Sequence, residues 1–329
     1  MKILTTEKSP LEAIDTSFSS YVAERLRREQ SHMDGGVPDY SFALDYQLRY
    51  RLGKIPFFYS LCKKITATIV SRQIQIYNQN SVAVGPNQYP DIYNMGLECA
   101  ERLGIGVPNI FVHSNPQMNA FTYASDDISP MIVLFTGIID RMTPGELRCV
   151  VAHECGHIHN QHTVYKSVIS QILSGKSGLF GIVLSVANVA LMQFWTRACE
   201  ITADRAALIC CNNTQDAVNV QKKLLSGGTF NQEFQDDLDI EELREQLETT
   251  INNPSRIYEI LSNHPSSIRR IFCTQEFEEC EIFYKWRSDL KKVGGVERSK
   301  EETDYRCQQL INIWDNTSAS TFGRGGQSA

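Results

Sequence analysis

The pentapeptide His153-Glu154-Cys155-Gly156-His157 sets two imidazoles four residues apart, with a carboxylate beside the first. On a helix, residues i and i+4 share a face, so both histidines can bind one metal ion. Glu154 lies about 100° around from His153 and reaches a water on that ion without taking a ligand position. Three protein ligands plus a water make the catalytic form of a zinc site, whereas four protein ligands make the structural form. The third ligand is expected between Trp195 and Leu208, where Glu200 and Asp204 again stand four apart, flanked by small alanines. Glu200 is expected to bind the metal, and Asp204 to accept the N–H of a ligand imidazole and so fix its tautomer. A solvated acidic face paired with Arg197 and Arg205 is the bland alternative for the same residues.

Such a site needs a rigid helix beneath it. Thr143-Pro144-Gly145-Glu146 reads as a helix start, with Thr143 as cap, Pro144 at the first position and Glu146 closing a Thr-x-x-Glu capping box. Leu147, Val150, Val151 and Ile158 supply an apolar stripe, so the segment from Glu146 to about Gln161 is expected to be a mostly buried helix. His159 and His162 fall on other faces of that helix, as supporting or solvated residues, and Cys155 reads as a small core residue. Periodicity predicts an amphipathic helix through Leu11, Ile14, Phe18, Val22 and Leu26, a second from about Asp45 to Lys64, and a third over Asp91–Leu103. Strands are expected at Arg72–Tyr77, Asn109–His113 and Met131–Phe135. The fold class is therefore α+β and predominantly helical, with an HExxH helix, a Glu-bearing helix and a small sheet.

Taken together, these residues resemble the HtpX-like and CaaX-prenyl-protease (Ste-type) family of gluzincin zinc metallopeptidases. The resemblance runs from Tyr89-Pro90 to Ile271, through Asn119-Ala120-Phe121, Met131–Phe135, Glu146-Leu147, the HECGH helix, Glu200 with Asp204, His264-Pro265 and Arg270-Ile271, in family order. It implies a metalloendopeptidase acting on protein or peptide substrates, with one zinc per chain on His153, His157 and Glu200 and with Glu154 as general base. It also implies that Asn119, Ala120 and Phe121 open an edge strand that binds extended peptide. His264 and Arg270 would approach the metal to stabilise the oxyanion or orient its neighbours; from the residues alone, His264 is a helix-cap histidine before Pro265. The competing reading is a non-catalytic or latent zinc module that binds a partner, against which the general base Glu154 argues. Three segments are expected: a helical N-terminal region over 1–80, a zinc metallopeptidase domain over 81–275, and a helical extension with a disordered tail over 276–329.

The 329 residues, 42% hydrophobic and 21% charged with net charge −6, suffice for a sizeable core and offer no electrostatic footprint for nucleic acid. Ten cysteines without a CxxC pair suit reduced thiols in a cytoplasmic compartment. The first residues hold no apolar stretch of the kind a secretory signal needs. Eight carboxylates between Glu233 and Glu248 read as a solvated face. Ser177–Thr196 carries no charge over twenty residues, long enough to cross a bilayer. A single span there would put His157 and Glu200 about 30 Å apart on opposite sides. The stretch, Leu179–Trp195 above all, is therefore expected to be a buried helix or an apolar cover, with membrane association as the alternative.

Overall fold

The computed structural model describes residues 21, 32–34, 37–54, 58–125, 128–166, 169, 186–228, 238–251, 266–291, 295 and 297–311. The architecture is α+β and mostly helical, as expected. Among the described residues the long helices are α1 (Ala43–Gly53), α2 (Phe58–Asn80), α3 (Pro90–Leu103), α4 (Pro144–His159), α5 (Val186–Cys210), α6 (Thr214–Ser226), α7 (Ile240–Ile251), α8 (Ser267–Glu278) and α9 (Lys300–Ile311). One four-stranded sheet is built from β1 (Ser81–Ala83), β2 (Asn109–His113), β3 (Ala120–Ser125) and β4 (Ile128–Phe135), in the spatial order β1-β2-β4-β3. β2 and β4 run parallel, the two outer pairs are antiparallel, and β3 is an edge.

The sheet is buried on both faces, which is why Met131–Phe135 reads as an unbroken apolar run. Ile110, Val112, Ile132 and Leu134 point into the main core with α3 and α4. Phe111, Met131, Val133 and Phe135 point the other way and meet Ile74 and Tyr77 of α2 together with Phe121 and Tyr123 of β3. This arrangement corrects one expectation. Arg72–Tyr77 is helical, because Ile74 and Tyr77, three apart, face the sheet while Ile76 is exposed. The alternation of Ile74 and Ile76 imitates a strand; the neighbour decides the matter. The helix expected over Asp45–Lys64 is divided between α1 and α2, and α1 ends at Gly53.

Helix α4 starts as its sequence predicts. Thr143 Oγ1 accepts from Glu146 N–H at 3.3 Å, and Glu146 Oε2 accepts from Thr143 N–H at 2.7 Å. Lys223 neutralises the buried Glu146 at 2.6 Å, tying α6 to the start of α4. Helix α5 lies across α4, and Gly156 lets the two come close: a Cβ there would sit 2.7 Å from Ala206 Cβ and 3.1 Å from Ala203 Cα. The small residues flanking Glu200 thus seat the Glu-bearing helix on the HExxH helix. A second cluster gathers Phe42, Leu48 and Leu52 of the α1 region, Trp195 of α5, Ile271 of α8 and Leu310 of α9.

Among the described residues, no helix is long and apolar enough to cross a membrane. Of the Leu179–Trp195 stretch, 186–195 belongs to α5, where Met192 and Trp195 are buried; 179–185 lies outside the described residues. Of the N-terminal helix expected through Leu11–Leu26 only residue 21 is described, and the tail after 311 lies outside the described residues.

Candidate metal centre and active site

Helix α4 carries both histidines inward, and α5 brings Glu200 against them. His153 Nε2 lies 3.5 Å from Glu200 Oε2, and His157 Nε2 lies 3.4 Å from Glu200 Oε1. One donor atom from each of the three residues falls within 4.8 Å of the others. Two imidazoles and a carboxylate around one point are the donor set of a catalytic zinc site with a position left for water. The site also already attracts a cation: Lys166 Nζ stands 2.5 Å from Glu200 Oε1 and 3.3 Å from His157 Nε2. The residues therefore fit a divalent metal ion.

The surroundings hold each candidate ligand in place. Asp204 Oδ1 meets His153 Nδ1 at 3.0 Å, the contact expected from the spacing of Glu200 and Asp204. Arg270 closes its fork on Asp204, with Nε to Oδ2 at 2.7 Å and Nη2 to Oδ1 at 2.6 Å, and its Nη1 lies 3.8 Å from Glu200 Oε2. Burial works to raise the Asp204 carboxyl, but Arg270 and His153 overcome it and hold it below the usual range. The two histidines differ. Burial pushes both down, yet the hydrogen bonds that His153 donates to Asp204 and Glu200 carry it up to about 9. At His157, burial and the nearby Lys166 charge win, and the ring is held well below its ordinary value. Lys166 itself is kept charged by Glu200 against the effect of burial.

Glu154 is buried beside the cluster, and Thr122 of β3 donates to its Oε2 at 2.5 Å. That contact sets the candidate base directly under the edge strand. Asn119 precedes β3, while Ala120 and Phe121 open it, paired with Leu134 and Val133 of β4. A cavity of ≈ 270 Å³ opens beside His153 and Glu154 between Asn119 and Arg270, with an apolar wall that includes Ile138, Val150, Val220 and Leu224. His264 lies outside the described residues.

Three residues in this site have no signal in the sequence, Thr122, Lys166 and Asp45, while His162, expected as a supporting or solvated residue on another face, is buried against His157. His162 sits on another face only if the helix continues. Instead α4 ends in a Schellman turn: His162 N–H donates to His157 O at 3.0 Å, Gln161 N–H donates to Ile158 O at 3.0 Å, and Gln161 takes φ 55°. The turn folds His162 back until its Nδ1 is 2.8 Å from His157 Nδ1. The α1 region grips the same helix end. Ser41 Oγ donates to Asn160 Oδ1 at 2.5 Å, Arg49 donates to Asn160 O, and Tyr40 OH meets His159 Nδ1 at 3.0 Å.

Comparison with known proteins agrees with this geometry. The model for "Peptidase family M48" matches residues 86–276, more than half of the chain. Plastoglobule-localized metallopeptidase 48, chloroplastic, of Arabidopsis thaliana is 30% identical over 197 residues, which cover 59% of this chain and 57% of that protein. Protease HtpX homologs of Thermoanaerobacter pseudethanolicus and Caldanaerobacter subterraneus are 26% and 27% identical over 125 residues, 38% of this chain and 40% of each homolog. The matched stretch thus spans between 40% and 57% of these relatives. No solved structure gives a significant match.

Proposed function

Because this chain belongs to peptidase family M48, we propose that it is a zinc-dependent endopeptidase cleaving protein or peptide substrates. The observation that carries the reading is the meeting of His153, His157 and Glu200 at one point, with Glu154 held beside them by Thr122. Zinc on those three residues supplies a Lewis acid that polarises the scissile carbonyl and acidifies water. Glu154 then takes the proton of the attacking water and delivers it to the leaving amine. Asp204 and Arg270 keep His153 and Glu200 oriented, and His264 stabilises the oxyanion, a contact of a kind worth about 3–4 kcal/mol of barrier. Peptide adds to β3 as an extended strand, and the apolar cavity beside His153 receives one of its side chains. A cytoplasmic, reducing location suits Cys99, Cys149, Cys155, Cys199, Cys210, Cys211, Cys273, Cys280 and Cys307, which are buried and unbridged.

The test is cleavage of casein by the purified chain. Internal cuts that stop on chelation and return with one equivalent of zinc are expected. Cleavage that survives complete removal of metal would overturn the reading. Lys166 favours a second reading, a latent site, because its ammonium competes with a metal for Glu200 and His157. In that case Lys166→Met tightens zinc binding and releases activity.

A further inference from the structure

His157 has two ring nitrogens, and only one faces the other metal donors. Nε2 looks toward Glu200 Oε1 at 3.4 Å, while Nδ1 lies 2.8 Å from His162 Nδ1. Two imidazole nitrogens at that distance share one proton, so one ring donates and the other accepts. A metal on Nε2 needs that lone pair, which leaves the His157 proton on Nδ1. His162 must then accept at Nδ1 and carry its own proton on Nε2. That nitrogen lies 2.9 Å from Asp45 Oδ2, a carboxylate oxygen that only accepts. Asp45 is itself fixed, since Trp195 Nε1 donates to Oδ1 at 2.9 Å and Thr202 Oγ1 donates to Oδ2 at 2.7 Å. Each link has one donor and one acceptor. His157, His162 and Asp45 are all buried, at 4%, 0% and 2% exposure, so water does not reach in to replace a missing link.

We propose that Asp45 and His162 are positioning residues for the metal: a buried carboxylate–imidazole–imidazole relay that fixes the tautomer and ring angle of His157. Asp204 performs the same task for His153 in a single step. The proposal rests on the reading of His157 as a zinc ligand. It also makes the site depend on α1, because Asp45 lies outside the 86–276 stretch that matches the family. His157, His162 and Cys199 do form a second group of donors within reach of one ion. Yet His162 Nε2 is engaged by Asp45, and the Cys199 thiol donates to Thr196 O at 3.0 Å, so hydrogen bonds account for these atoms without a second metal.

Two measurements on the full chain test the relay. In metal-free wild type, ¹⁵N spectra of labelled histidine read each tautomer: a proton on Nδ1 of His157 and on Nε2 of His162 is expected, and the opposite placement on His162 overturns the relay. Zinc affinity is then measured by chelator competition for wild type, Asp45→Asn, His162→Leu and His162→Asn. Loss of an orienting partner weakens metal binding by about 10–100-fold, so Asp45→Asn and His162→Leu should fall by that factor. His162→Asn should recover part of it, because its amide oxygen can accept from His157. Unchanged affinity in Asp45→Asn and His162→Leu overturns the relay while leaving the zinc site standing. Two zinc ions per wild-type chain, one of them lost in His162→Leu, overturn it in favour of a second metal site. Failure of wild type to bind zinc removes the underlying ligand reading, whereas the tautomer measurement stands by itself.

Discussion

Gly156 is where the two halves of the candidate metal site touch, and replacing it with alanine tests whether helix spacing sets metal affinity. A Cβ at Gly156 would meet Ala206 Cβ at 2.7 Å, Ala203 Cα at 3.1 Å and Ala203 O at 3.3 Å. Carbon atoms rest at about 3.5–4.0 Å, so α4 and α5 must part by about 1 Å. Overpacking of this kind costs about 1–3 kcal/mol, offset by about 1 kcal/mol from the better helix propensity of alanine. Global stability should therefore fall by no more than about 2 kcal/mol. The metal site is less forgiving. His153 and His157 ride on α4 and Glu200 on α5, and metal–ligand distances tolerate only about 0.2 Å. Zinc affinity should fall by about tenfold or more, the equivalent of at least about 1.4 kcal/mol. Chelator competition gives the affinity, and thermal melting of the metal-free chain gives the stability. Ala206→Gly added to Gly156→Ala removes the nearest clash and leaves the contact with Ala203 Cα at 3.1 Å, so it should recover part of the affinity without recovering stability, because a glycine replaces an alanine within α5. Wild-type zinc affinity in Gly156→Ala alone would show that helix spacing does not set metal affinity.

Thr122→Val removes the donor that holds Glu154 Oε2. A hydrogen bond to a charged group contributes about 1.5–3 kcal/mol, so kcat should drop at least tenfold while zinc content stays at wild type, as metal analysis and steady-state kinetics would show. Gln161→Gly relieves a left-handed residue at the Schellman turn and should raise stability by about 1 kcal/mol in denaturant melts. Metal-free stability should peak near pH 6.5. The raised His153 value, about 9 against 6.5, gives stability that is complete below pH 6.5 and is lost as pH rises through 9. His162 is held below 6.5, chiefly by burial, so its contribution is present above that pH and declines on further acidification. Melting the chelated protein from pH 5 to 10 checks both limbs.

The most legible part of this chain was the part governed by local rules. The capping box of Thr143 and Glu146, the inward stripe of α4, and the shared face of Glu200 and Asp204 follow from helix geometry alone, and each was readable in the sequence. What stayed hidden depends on where helices end and on what they meet. His162 joins the site only because Gln161 adopts a left-handed turn, which no helical wheel shows. Asp45 reaches His162 across 117 residues of sequence through the docking of α1, and Thr122 reaches Glu154 through strand register. Arg72–Tyr77 reads as a strand in sequence because alternating isoleucines carry the same pattern in either state until a neighbour selects one.

Whether Glu154 is the base at a one-zinc peptidase site is decided by comparing wild type and Glu154→Gln for zinc content and casein cleavage, side by side. One zinc per chain is expected in both, and cleavage only in wild type. Full cleavage by Glu154→Gln, or no zinc in either protein, would contradict that role.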